Sequence, residues 1–111
     1  MPQVPNTAGT EADDRSGSLA LFDVLGRRWA LRIVWELHAD AMTYRELAAR
    51  VPEMSTSVLT QRLRDLRAAG LVEHARRAGY RLTPLGHELW SHLEGLRDWA
   101  QRVGFVADLR A

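Results

Sequence analysis

The segment from Ser55 to Gly70 constrains this chain more than any other part of it. Leu59, Leu63 and Leu66 recur at steps of four and three, so they share one face of a helix, with Ser55 as its cap and Gly70 as its stop. At about 100° per residue from Leu59, the opposite face carries Ser57, Gln61, Arg64 and Ala68. Thr60 stands beside them, and Thr56 and Arg67 lie nearer the boundary. That face is polar, basic and free of acids. In a DNA major groove, Arg64 can span O6 and N7 of guanine and Gln61 can pair with adenine, while Ser57 or Thr60 touches a base edge or a phosphate. A merely solvated helix face is the competing reading, and this helix alone does not separate the two.

The flanking segments supply a frame. Thr43 and Glu46 form a capping box for a short helix through Leu47, Ala48 and Val51 that ends at Pro52. Before it, residues 28–39 read as a helix with Trp29, Ile33, Val34 and Leu37 on one stripe. Leu19, Leu21, Phe22, Val24 and Leu25 form a shorter helix, capped by Ser16 or Ser18 and stopped at Gly26. After Gly70, the runs Leu71–Arg76 and Tyr80–Thr83 flank Ala78 and Gly79 as a β-hairpin with a tight turn. Pro84 opens a last helix in which Leu85, Leu89, Leu93, Leu96, Ala100, Val103 and Ala107 alternate at steps of four and three. Trp90, Trp99, Phe105 and Val106 lie on adjacent faces, so its apolar surface is wider than one contact needs. Residues 1–17 hold Pro2, Pro5, Gly9 and Gly17 without apolar periodicity and are expected to form a disordered tail, leaving residues 18–111 as one domain.

Helix, helix, helix, turn, helix, hairpin, helix is the order of a winged helix-turn-helix. The expected fold is α+β and mainly α, with a short two-stranded wing and a long C-terminal helix. The charge distribution agrees with it. Between Ala41 and Leu82 there are eight arginines and four acids, a balance of +4 that leaves −3 on the remainder. Arg45 and Arg50 on the helix before Ser55, and Arg76, Arg77 and Arg81 on the hairpin, extend the basic chemistry over three consecutive elements, as a phosphate-binding footprint does. All fifteen basic residues are arginine, which suits bidentate contacts, although the codon usage of a GC-rich genome explains that bias better.

Other functions lack the residues they need. Cysteine is absent, which removes disulfides, thiolate metal sites and thiol switches. His87 and His92 frame a stretch that superficially suggests a zinc-protease helix, but five residues apart they sit about 140° around the helix and cannot share a metal. No glycine-rich phosphate loop, nucleophile elbow or paired-carboxylate arrangement is present, so no catalytic residue and no cofactor is expected. No apolar run approaches the roughly 20 residues of a membrane span, and the first residues have no basic start followed by an apolar stretch. A cytoplasmic protein with no membrane contact is expected. A winged helix can also serve as a protein-binding module, against which the acid-free face of residues 55–69 argues.

Several short motifs, in the same order, resemble the HxlR-type regulators. They are Val24-Leu25-Gly26-Arg27-Arg28-Trp29 with Ile33-Val34, Tyr44-Arg45-Glu46-Leu47, Leu59-Thr60-Gln61-Arg62-Leu63 with Leu66, Gly70-Leu71-Val72 and Tyr80-Arg81-Leu82-Thr83-Pro84-Leu85-Gly86. The later ones are shared with the similar MarR group, and the resemblance covers about residues 18–107. It implies a dimeric transcription factor, a repressor reading a palindromic DNA site through two copies of the helix at 55–69. The resemblance and the residues together give Thr56, Ser57, Thr60, Gln61, Arg64, Arg67, Arg45, Arg76 and Arg77 as DNA contacts. The first and last helices would build the dimer, through Leu21, Phe22, Leu89, Leu93, Leu96, Trp99 and Val103; the wide apolar face of residues 85–107 independently suits that. Two departures stand out. Many relatives carry a sensing cysteine near the first helix where this chain has serines such as Ser16 and Ser18, and their wing is longer than Glu73 to Tyr80. Trp29, Trp35 and Trp90, with Trp99 and Phe22 near them, are a candidate effector pocket, although plain core packing is the better default for such residues.

Overall fold

The computed structural model describes residues 7–106, with side-chain surroundings from Arg15 onward. Within them the order is α1 (Thr7–Leu25), α2 (Ala30–Leu37), α3 (Tyr44–Arg50), α4 (Thr56–Ala68), β1 (Val72–Ala75), β2 (Gly79–Leu82) and α5 (Pro84–Arg102). The core is organised on α2, whose Ala30, Ile33, Val34 and Leu37 fall at helical spacing and are all buried. From that position α2 packs against α1, α3, α4, α5 and β2. Leu47 of α3 and Leu59, Leu63 and Leu66 of α4 close on it, each such side chain contributing about 1.5–3 kcal/mol by leaving water.

Local chemistry fixes where each element begins and ends. Thr43 Oγ1 accepts from Glu46 N at 3.1 Å and Glu46 Oε1 accepts from Thr43 N at 2.8 Å, so the expected capping box is formed. Ser55 Oγ accepts from Val58 N at 3.2 Å at the start of α4. Gly70, with φ of 77°, ends that helix in a Schellman pair: Gly70 N donates to Arg67 O and Leu71 N to Leu66 O. Thr83 then joins two elements, donating to Gly70 O at 2.6 Å while accepting from Gly86 N at 3.0 Å to cap α5. The hairpin pairs Val72 with Leu82 and Ala75 with Gly79, and Met42 bridges to Tyr80 on its other side.

Four boundaries differ from the sequence reading. The first helix starts at Thr7 and not at Ser18, the good helix formers Ala8, Glu11, Ala12 and Arg15 lying in the added turns; only residues 1–6 of the expected tail fall outside the described residues. The second starts at Ala30, since Trp29 has φ of 77° and stands as a left-handed N-cap outside the helix. The hairpin turn is the three-residue loop Arg76-Arg77-Ala78, with Gly79 already in β2 opposite Ala75. The last helix ends at Arg102: Gly104 N donates to Gln101 O and Phe105 N to Ala100 O, a second Schellman pair that turns Phe105 and Val106 off the helix. Ala107 lies outside the described residues.

Candidate nucleic-acid interface

The two faces of α4 are separated as the leucine spacing requires. Leu59, Leu63 and Leu66 are buried, while Thr56, Ser57, Gln61, Arg64, Arg67 and Ala68 are exposed. Thr60 is half-buried, and Tyr44 explains why. The Tyr44 hydroxyl donates to Thr56 O at 3.0 Å and lies 3.1 Å from Thr60 Oγ1, so it fastens the start of α3 to the first turn of α4. The Thr60 hydroxyl therefore already has a partner on another helix, whereas the exposed Ser57 hydroxyl meets only the neighbouring Ser55 hydroxyl, at 3.3 Å. Between α4 and β1 runs a polar cleft of about 530 Å³ lined by Arg64, Arg67, Glu73 and His74. His74 was not singled out from the sequence; a lone histidine on a four-residue strand carries no signal until the strand is placed beside α4.

The arginines of α3, α4, the hairpin and the segments packed beside them differ in whether a carboxylate holds them. Arg27, Arg32, Arg50, Arg62 and Arg81 each lie within 4 Å of a carboxylate. Arg45, Arg64, Arg67, Arg76 and Arg77 are exposed and pair with none. A guanidinium bound to a carboxylate has its fork occupied, whereas an exposed unpaired one keeps charge and donors for a phosphate or a guanine. Two residues of the basic footprint read from the sequence thus have an acid beside them. Arg50 reaches Glu36 at 3.4 Å, and Arg81 sits across the hairpin from Glu73 at 2.7 Å. Arg76 and Arg77 occupy the tip of the wing.

One acid borders the exposed face of α4. Asp65 Oδ1 accepts from Gln61 Nε2 and from Arg27 Nη1, both at 3.0 Å, and Oδ2 accepts from Arg62 Nη1 at 3.0 Å. Burial pushes the Asp65 carboxyl up, but the hydrogen bonds from Gln61 and Arg27 outweigh it and hold the group below its ordinary value. The four-residue step from Gln61 to Asp65 was visible in the sequence; the arrival of Arg27 from the α1–α2 connection was not.

The residues expected at a dimer contact fall into two sets. Phe22, Leu96, Trp99 and Val103 are exposed at 64, 57, 44 and 49%, and Leu21 at 38%. Leu89 and Leu93 are half-buried against the chain's own core. Leu21 and Leu89 face each other across an apolar groove of about 490 Å³ between α1 and α5, with Val24, Leu71 and Leu85. The tryptophans expected at an effector pocket are not brought together as a trio. Trp35 and Trp90 meet edge to face at 5.7 Å and His38 stacks on Trp90 at 4.1 Å, beside a shallow groove of about 180 Å³. Trp29 does not line that groove and carries the Arg28 guanidinium over its ring at 5.0 Å. Among the described residues no helix is long and apolar enough to cross a membrane, and no group of histidines and acids is arranged to hold a metal.

Known proteins share this fold. The HxlR-like helix-turn-helix family model matches residues 24–106. An uncharacterised HTH-type transcriptional regulator of Bacillus subtilis, YvaP, is 33% identical over 84 residues, which is 70% of this chain and 78% of the relative. The quinone-bound structure of YodB from Bacillus subtilis aligns with a TM-score of 0.72 at 27% identity, over 78% of this chain and 96% of YodB. A MarR-family regulator from Enterococcus faecalis aligns with a TM-score of 0.71 at 25% identity, over 94% of each chain.

Proposed function

The chain belongs to the HxlR-like helix-turn-helix family of transcriptional regulators, and from that premise we propose that it is a cytoplasmic homodimeric repressor that reads a palindromic DNA site with α4. The observation that carries this reading is the division of the arginines. Arg45, Arg64, Arg67, Arg76 and Arg77, the five expected on DNA from the sequence, are all exposed and none pairs with a carboxylate among the described residues; Arg28, Arg97 and Arg102 are likewise exposed without one, but lie on other elements. Ser57, Gln61 and Arg64 supply base-edge donors and acceptors on the exposed face of α4, and Arg45, Arg67, Arg76 and Arg77 flank it on α3, the end of α4 and the wing tip.

Two copies related by a twofold axis would present two such helices to one duplex, and the exposed Phe22, Leu96, Trp99 and Val103 are the apolar surface for that contact. YodB has been solved with a quinone bound; in this chain, with no cysteine, any small-molecule control proceeds without a thiolate. The test is Arg64→Ala. A bidentate guanine contact predicts a loss of about 1–3 kcal/mol in specific binding, with relaxed preference at one base pair per half-site. Unchanged affinity and unchanged preference would show that α4 does not read DNA.

A further inference from the structure

Asp65 sits where a DNA-binding helix gains nothing from a negative charge, since a carboxylate beside the docking face repels phosphates. Its surroundings show a different use. Its side chain is only 10% exposed, and each of its oxygens accepts a hydrogen bond. The two cations that hold it are anchored in turn. Arg62 Nε donates to Arg28 O at 2.9 Å, and Arg27 Nη2 reaches Asp23 Oδ2 at 2.7 Å on α1. The carboxylate is thus fixed by groups on α4 and by the connection between α1 and α2, where Trp29 holds its left-handed backbone.

To that fixed acceptor Gln61 is tied by its amide nitrogen at 3.0 Å. Only the nitrogen end can face a carboxylate, because the amide oxygen is itself an acceptor. The bond therefore sets both the rotamer of Gln61 and which way its amide points. We infer that Asp65 is a positioning residue for base recognition: it takes one N–H of Gln61 and leaves the other N–H and Oε1 as an outward donor and acceptor pair for adenine. Adenine shows an N7 acceptor and an N6 donor in the major groove, and that amide edge answers both. A long side chain ordered before binding loses less freedom on binding, so the preference is sharpened without a new contact to DNA.

This inference rests on the reading that α4 enters the major groove, and the experiment separates the two. Full-length chain carrying Asp65→Ala, Gln61→Ala, both together, or Arg64→Ala is taken through selection from a randomised duplex library, with thermal unfolding of each variant alongside. Gln61→Ala and Asp65→Ala should relax preference at the same base pair of each half-site, the second by about five- to tenfold, and the double variant no further than Gln61→Ala. Asp65→Asn, which keeps an oxygen acceptor at similar reach, should restore part of that preference. Where Asp65→Ala does not fold, Arg27→Ala, which frees the carboxylate from the α1–α2 connection, should relax the same base pair. A lowered melting temperature with every base preference intact would overturn the proposal and leave Asp65 as a fastening only. Relaxation by Arg64→Ala at its own position, with Asp65→Ala silent, would refute the positioning role alone; silence of Gln61→Ala and Arg64→Ala would refute the reading beneath it.

Discussion

Replacing Gly79 with alanine tests how the wing is held. Gly79 has φ of 92°, and a Cβ there would stand 2.3 Å from Met42 O and 2.6 Å from Thr43 Cα. Ordinary contact begins about 1 Å farther out, and what must yield is backbone. The strand bearing Gly79 would have to back away from Met42, and the bridge that ties them is short: Met42 N donates to Tyr80 O at 2.9 Å and Tyr80 N to Met42 O at 2.7 Å. Losing both bonds costs about 1–3 kcal/mol, and a left-handed alanine adds about 1–2 kcal/mol. Gly70→Ala isolates the second contribution, because Gly70 also has positive φ but a Cβ there meets only Leu85 Cδ2 at 3.9 Å. Urea unfolding at one fixed protein concentration should show about 3 kcal/mol lost for Gly79→Ala and about 1 kcal/mol for Gly70→Ala. Equal losses would refute the close approach of β2 to Met42 as the reason for glycine.

Three further outcomes follow from the same geometry. Removing Arg76 and Arg77 together takes up to four phosphate contacts from a dimer. The slope of log affinity against log salt should become shallower by about 3 to 4, whereas Arg81→Ala, paired with Glu73, should leave it nearly unchanged. Leu96→Glu should yield monomers in light scattering without loss of helix, because Leu96 is exposed in the single chain and a second copy would have to bury the charge; a surviving dimer would place the contact elsewhere. The depressed Asp65 carboxyl stabilises the fold at pH values above the ordinary aspartate value of 3.8, and that contribution is lost as pH falls through the lower native value. The stability gap between the native chain and Asp65→Asn should therefore narrow in acid unfolding below about pH 4, and a gap independent of pH would contradict the ion pairing.

What the sequence made legible was periodic or capped. Leu59, Leu63 and Leu66 located α4 and, by opposition, its exposed face; Thr43, Ser55, Pro84 and Gly70 marked termini because each supplies one identifiable cap, helix start or left-handed turn. The rest depended on partners distant along the chain. Nothing local to Trp29 announces positive φ. Nothing in the composition separates Arg81, matched by Glu73 across the hairpin, from Arg77 at its tip, until the register is known. The angle around α4 puts Thr60 beside the face offered to a base edge or a phosphate but cannot show that Tyr44 reaches its hydroxyl from another helix. The grouping of the tryptophans was illegible for the same reason: helical spacing puts each on a face but does not say which faces meet, and only Trp35 and Trp90 do.

The most direct test is fluorescence anisotropy of the chain on duplex DNA from upstream of its own gene, against a shuffled duplex, across a series of salt concentrations. Tighter binding to the native duplex, weakening steeply as salt rises, is expected of a regulator that docks five unpaired arginines per chain and reads bases with α4. Equal, weak binding to both duplexes at every salt concentration would contradict it.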